Sequence, residues 1–149
     1  MTRHADSAST DASSAVRLLL LAHGSKQPQW AAPFDSVLRM LAPLPPGVEA
    51  EIAYLESMHP LLAEALERAG RDGCRRLRIV PLFLGAGGHL GRDIPQHVAQ
   101  AQARFPGLRI DIAAAAGESA EVAAALAAYA RRCAGDLSAN ADAGGGPPR

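Results

Sequence analysis

Four short apolar runs, each followed by a stretch whose apolar side chains recur at helical spacing, leave this chain few ways to fold. The first run, Val16–Ala22 (VRLLLLA), is continuous, as suits a strand buried on both faces. Behind it Trp30, Phe34, Val37, Leu38 and Leu41 fall at i, i+4, i+7, i+8 and i+11, a helical stripe. Pro43, Pro45, Pro46 and Gly47 stop it. Val48–Leu55 (VEAEIAYL) alternates and reads as a strand with one wetter face. Pro60–Ala69 (PLLAEALERA) follows as a helix, with Pro60 near its first turn and Gly70 and Gly73 beyond its end. Leu77–Leu84 (LRIVPLFL) is again strongly apolar, and Ile94, Val98, Ala101 and Phe105 form the next helical stripe. Leu108–Ala113 (LRIDIA) alternates, and Val122, Leu126, Tyr129 and Cys133 repeat the helical spacing once more.

A βα unit repeated four times calls for an α/β fold with a parallel sheet and helices on both faces. The first and third strands are the most apolar and belong in the middle, while the alternating second and fourth belong at the edges. The expected strand order is 2-1-3-4, a doubly wound sheet whose topological switch lies between strands one and three. Ligands of such sheets bind at the carboxyl ends of the strands, beside the switch.

Residues 1–14 (MTRHADSASTDASS) and 135–149 (GDLSANADAGGGPPR) are small, polar or Gly/Pro-rich and read as disordered tails around a single domain of residues 15–134. Lys plus Arg (15) balance Asp plus Glu (15), so no basic field is available to hold a phosphate backbone, and nucleic acid is not an expected partner. Cys74 and Cys133 are far apart and form no C-x-x-C, which suggests neither a disulfide framework nor a zinc knuckle. They read as a turn residue and a core residue. No apolar run approaches the roughly 20 residues of a membrane span, and no basic segment leads into an apolar stretch with a cleavage site. A cytoplasmic protein with no membrane partner is the expectation.

At the carboxyl edge, strand one runs into His23-Gly24-Ser25, strand two ends at Glu56, and strand three leads into Gly85-Ala86-Gly87-Gly88-His89-Leu90-Gly91. The expected order brings two imidazoles and one carboxylate to the same end of the sheet. Neutral imidazole suits cobalt, nickel, iron and zinc, and a carboxylate completes a mixed N/O site. The same groups can accept protons near neutral pH. Taken singly, each has a plainer reading: either His as a turn residue, Glu56 as a solvated strand end, the glycines as a loop. Convergence at one edge is what favours function. The glycine spacing matches neither G-x-G-x-x-G nor a P-loop with its Lys, so no nucleotide cofactor is expected. His97, beside the stripe of its helix, reads as a surface or partly buried residue.

The stretches LLLLAHGSKQP, EIAYLESMHPLLAEALE and RIVPLFLGAGGHLGRDIPQHV resemble the small, half-length sirohydrochlorin cobaltochelatases and ferrochelatases of the class II chelatase superfamily. The resemblance covers about Val16 to Ala134, nearly the whole expected domain. It implies insertion of a divalent metal (cobalt or iron, or else nickel) into sirohydrochlorin or a related tetrapyrrole, in cobalamin or sirohaem biosynthesis. The family's metal and catalytic positions fall on His23, Glu56 and His89. The macrocycle carries many carboxylates, which Lys26 and Arg92 are placed to meet; Ser25, Gly87 and Gly88 complete the expected substrate contacts. His59, just before Pro60, departs from the family pattern and its role stays open. One HGS and one GGH suggest the half-length form, whose second wall comes from an identical subunit, so a homodimer is implied. A non-catalytic metal or tetrapyrrole carrier on the same fold is the alternative. A phosphotransfer enzyme with His-Gly after its first strand needs Arg before the His, and Ala22 stands there instead.

Overall fold

The computed structural model describes residues 16–85 and 90–143. The elements run β1 (Val16–Ala22), α1 (Ala32–Met40), β2 (Val48–Tyr54), α2 (Leu62–Arg71), β3 (Arg76–Pro81), α3 (Leu90–Arg104), β4 (Arg109–Ile112) and α4 (Ala120–Ala143). All strand pairs are parallel, in the order β2-β1-β3-β4, as the hydrophobic patterns predict.

The continuous run of β1 sits at the centre because both of its faces find apolar cover. Leu19 and Leu21 meet Leu62 and Leu66 of α2 and Ile94 and Val98 of α3, together with Leu77 and Ile79 of β3. Leu20 and Ala22 turn the other way, with Ile52 and Tyr54 of β2, toward Phe34, Leu38 and Leu41 around α1. Each fully buried leucine stabilises the fold by about 1.5–3 kcal/mol.

Four local expectations need correction. The third strand ends at Pro81 rather than Leu84, because proline has no N–H to continue the ladder. Leu82 to Leu84 instead form a pinned loop: the Leu82 N–H donates to the Leu21 carbonyl at 2.8 Å, and Gly117 N–H to the Phe83 carbonyl at 2.8 Å.

Trp30 does not join the helix. It lies in a 3-10 turn, Pro28–Ala31, ahead of α1, and is 57% exposed.

The cysteine assignments are reversed. Cys74 is buried in the core with its Sγ toward the Arg76 carbonyl at 3.2 Å, while Cys133 is exposed. Burial pushes the Cys74 thiol pKa up. His97 is partly buried, as expected.

The last helix differs most. It continues to Ala143, nine residues past Ala134, through residues 135–143 (GDLSANADA), which the sequence places in the tail. Propagation of an established helix costs far less than nucleating one, so α4 runs on past its alanine-rich first part, residues 120–134. Yet its stripe is not buried: Leu126, Tyr129 and Leu137 are exposed, and no α4 residue belongs to either core cluster among the described residues. On the α1 side, the register of β3 and β4 presents Arg76, Arg78, Arg109 and Asp111. Asp111 pairs with Arg76 at 3.1 Å and Arg78 at 3.5 Å, so that half of the face offers no apolar bed. The expected tail of residues 1–14 and the end of the chain beyond Ala143 lie outside the described residues. Among the described residues no helix is long and apolar enough to cross a membrane.

Candidate active site

Parallel pairing sets the site. Ala22, the last residue of β1, is level with Tyr54, the last of β2. The ladder then continues beyond both strands: Leu55 N–H donates to the Ala22 carbonyl and Glu56 N–H to the His23 carbonyl, each at 3.1 Å. His23 and Glu56 are therefore neighbours by backbone geometry before their side chains are considered. Their side chains stand 3.4 Å apart, Nε2 to Oε1, and are 58% and 63% exposed.

That separation is too long for a good hydrogen bond. It equals the span of two donors on one cation: with bonds of about 2.1 Å, a tetrahedral angle separates N and O by about 3.4 Å.

Two backbone features hold the pair. Gly24 has φ +92°, and a Cβ there would lie 1.9 Å from the Glu56 carbonyl oxygen, so only glycine lets the two loops approach. Ser57 takes φ +62°, unusual for a residue with a side chain, while Met58 N–H donates to the Glu56 carbonyl at 2.8 Å. The turn after Glu56 is thus tight, and the carboxylate projects from a defined backbone.

Beside His23 opens a cavity of about 220 Å³, lined by Ser25, Trp30, Phe34, Tyr54 and Met58 among others. Phe83 meets the His23 imidazole edge to face, with ring centres 6.5 Å apart and planes at 80°. Burial, helped by the Asp35 charge, raises the Tyr54 phenol pKa and keeps it neutral at the cavity floor. A larger groove, about 640 Å³, lies at the opposite edge of the sheet beside Gly70, Arg75, Arg104 and Arg109. It contains none of the predicted site residues, and sheets of this winding bind ligands at the other end.

Of the predicted residues, His23 and Glu56 are brought together and Ser25 lines the same cavity. The Ser25 Oγ accepts the Gln27 N–H at 3.1 Å, which shapes the loop after β1. Lys26 and Arg92 are exposed and do not line the cavity. Gly87, Gly88 and His89 lie outside the described residues. Among the described residues no three His, Cys, Asp or Glu side chains gather as a metal site. His59 is held away by its own partner: its Nδ1 is 2.8 Å from Glu64 Oε2, which also accepts the Leu61 N–H at 2.7 Å at the start of α2.

Sequence reasoning missed Trp30, Tyr54 and Met58 as parts of the site. A signal for Trp30 was present: Pro33 is tolerated only in a helix's first turn, so the helix had to begin near Ala32 and leave Trp30 in front of it.

The sequence profile of the CbiX family matches residues 17–133. The chain belongs to the CbiX family. Among relatives, the sirohydrochlorin cobaltochelatase of Sulfurisphaera tokodaii is 30% identical over 112 residues, covering 73% of this chain and 86% of that protein. The sirohydrochlorin cobaltochelatase of Methanopyrus kandleri is 28% identical over 81 residues, 54% of this chain and 57% of its own. The sirohydrochlorin ferrochelatase of Bacillus subtilis is 30% identical over 112 residues, 73% of this chain but 42% of its own. The matched region therefore spans about half the length of the latter two. Among solved structures, a CbiX protein from Marinobacter aquaeolei superposes with a TM-score of 0.70 at 28% identity, covering 83% of this chain and 98% of that one.

Proposed function

We propose that this protein is a chelatase that inserts a divalent metal into sirohydrochlorin or a closely related tetrapyrrole, the step that precedes cobalamin or sirohaem. The observation that carries the reading is the His23–Glu56 pair, 3.4 Å apart and open to solvent at the carboxyl edge of the sheet. The names of the related proteins supply the substrate class.

Insertion exchanges two pyrrolic N–H protons for one M²⁺, so both protons must leave as the metal enters. A chelatase needs donors that hold the cation loosely and acceptors that take the protons. His23 and Glu56 supply an imidazole nitrogen and a carboxylate at ligand spacing, and both are exposed enough to pass protons to water. His89 completes the set in this proposal. The chemistry requires neither a nucleotide nor a redox cofactor.

The metal is substrate, and cobalt, iron and nickel all accept these donors. Ser25, Lys26, Gly87, Gly88 and Arg92 are assigned to the macrocycle and its carboxylates. The pair occupies one wall of an open edge, and a flat macrocycle needs a second wall to exclude water. An identical subunit would supply it, which supports a homodimer.

The test is an insertion assay with purified protein and sirohydrochlorin, giving Co²⁺, Fe²⁺ and Ni²⁺ in turn and following the macrocycle's absorption. Enzyme-dependent insertion of at least one metal is expected. Tight binding of metal and macrocycle without turnover would instead favour a carrier.

A further inference from the structure

Trp30 is a large aromatic side chain left 57% exposed on the wall of the cavity that contains His23. It is also the only tryptophan in the chain. An exposed indole in a loop ordinarily has no partner, but this one is hydrogen-bonded into the loop. Its Nε1–H donates to Gln27 Oε1 at 3.2 Å, and the same oxygen accepts from Gln29 Nε2 at 3.1 Å. The Gln27 N–H in turn donates to Ser25 Oγ at 3.1 Å, tying the network to the end of β1 two residues from His23. The backbone is constrained as well: Trp30 N–H closes a turn on the Gln27 carbonyl at 3.1 Å, with Pro28 before it and Pro33 after it. With its one polar atom already satisfied, the indole has only apolar ring surface left to offer.

The cavity's size limits what it accepts. At about 220 Å³ it is smaller than the roughly 300–1,000 Å³ that encloses a whole small molecule. It suits one edge of a larger planar ligand, with Phe34, Tyr54 and Met58 as further apolar lining. An aromatic ring held rigidly before binding loses little entropy when it stacks.

We infer that Trp30 is a substrate-binding residue. Its indole packs against a planar conjugated macrocycle and holds the macrocycle's edge in the cavity beside His23 and Glu56. The inference rests on the chelatase reading and adds to it a residue that binds the macrocycle without touching the metal.

Full-length wild type, Trp30→Ala and Trp30→Phe would be compared, with metal-free sirohydrochlorin and Co²⁺ as separate probes. Trp30→Ala should raise both the macrocycle Kd and KM by about tenfold, the scale of a lost aromatic contact plus its apolar area. Its kcat at saturation should stay within about twofold of wild type, and its Co²⁺ affinity should not move, because metal donors and proton acceptors are intact. Trp30→Phe keeps a flat ring and should recover most of the affinity. Oxidative footprinting of wild type should show this single tryptophan protected when the macrocycle binds.

Unchanged macrocycle affinity in Trp30→Ala, with insertion by wild type intact, would overturn the inference and leave the chelatase reading standing. Parallel loss of kcat and Co²⁺ affinity in both variants would overturn it too, by showing that Trp30 merely supports the fold around His23. Failure of wild type to bind sirohydrochlorin at all would remove the chelatase reading and this inference with it.

Discussion

At the ends of β1 and β2 three residues, His23, Gly24 and Glu56, have separable jobs, and substitution can tell them apart. His23 has a 58% exposed side chain, so His23→Ala should change stability by no more than about 0.5 kcal/mol. Enzyme-dependent insertion should nevertheless fall by about a hundredfold or more, as when a catalytic proton acceptor is removed. Thermal unfolding alongside the absorption assay measures both, and wild-type turnover would sink the assignment. Glu56→Gln keeps the side chain's size and removes its charge; it should slow insertion and weaken Co²⁺ binding in calorimetry. Gly24→Ala should act through the backbone. Its Cβ cannot coexist with the Glu56 carbonyl 1.9 Å away, and its φ of +92° suits only glycine. A loss of about 2 kcal/mol or more is expected, together with lost activity, since the two loops must separate. The cysteines show where a local reading stops at this scale. Spacing along the chain does not say that Cys74 packs inward or that Cys133 faces out.

Helix α2 is the element that couples the site loop to the core. Its inner face buries Leu62, Ala65, Leu66 and Ala69 against the sheet. Leu66→Ala should cost about 3 kcal/mol through the cavity it leaves, read from a denaturant midpoint. Its start is held by Glu64, whose carboxylate accepts from His59 and from the Leu61 N–H. These bonds lower the Glu64 pKa, the His59 contact first. A carboxyl whose folded pKa lies below its unfolded one adds stability above the ordinary carboxylate range and loses it as pH falls through the folded value. Glu64→Gln should therefore lower Tm at neutral pH, with the gap to wild type closing in acid. A gap that stayed constant down to strongly acidic pH would rule this out. Helix α2 was legible because Pro60 marks its start and Gly70 and Gly73 its end. The role of His59 was not, because Glu64 lies five residues ahead and only the turn into the helix brings them together.

For the whole molecule, the open edge at His23 and Glu56 is the main consequence. We expect light scattering over a dilution series to show a dimer, with specific activity falling as it dissociates. A monomer with full specific activity would show that one wall suffices. The sequence by itself determined the four βα units, the strand order and the arrival of His23 and Glu56 at the carboxyl edge, because hydrophobic periodicity is a property of each segment and survives without knowing its neighbours. Only the tertiary structure decided the rest. The level ends of β1 and β2 set the 3.4 Å between His23 and Glu56. The first-turn proline of α1 leaves Trp30 on the cavity wall. The apolar stripe of α4 stays outside both core clusters among the described residues. The physical reason is common to all three: periodicity says which face of an element is apolar, whereas burial and side-chain distance depend on what the neighbouring element presents to it.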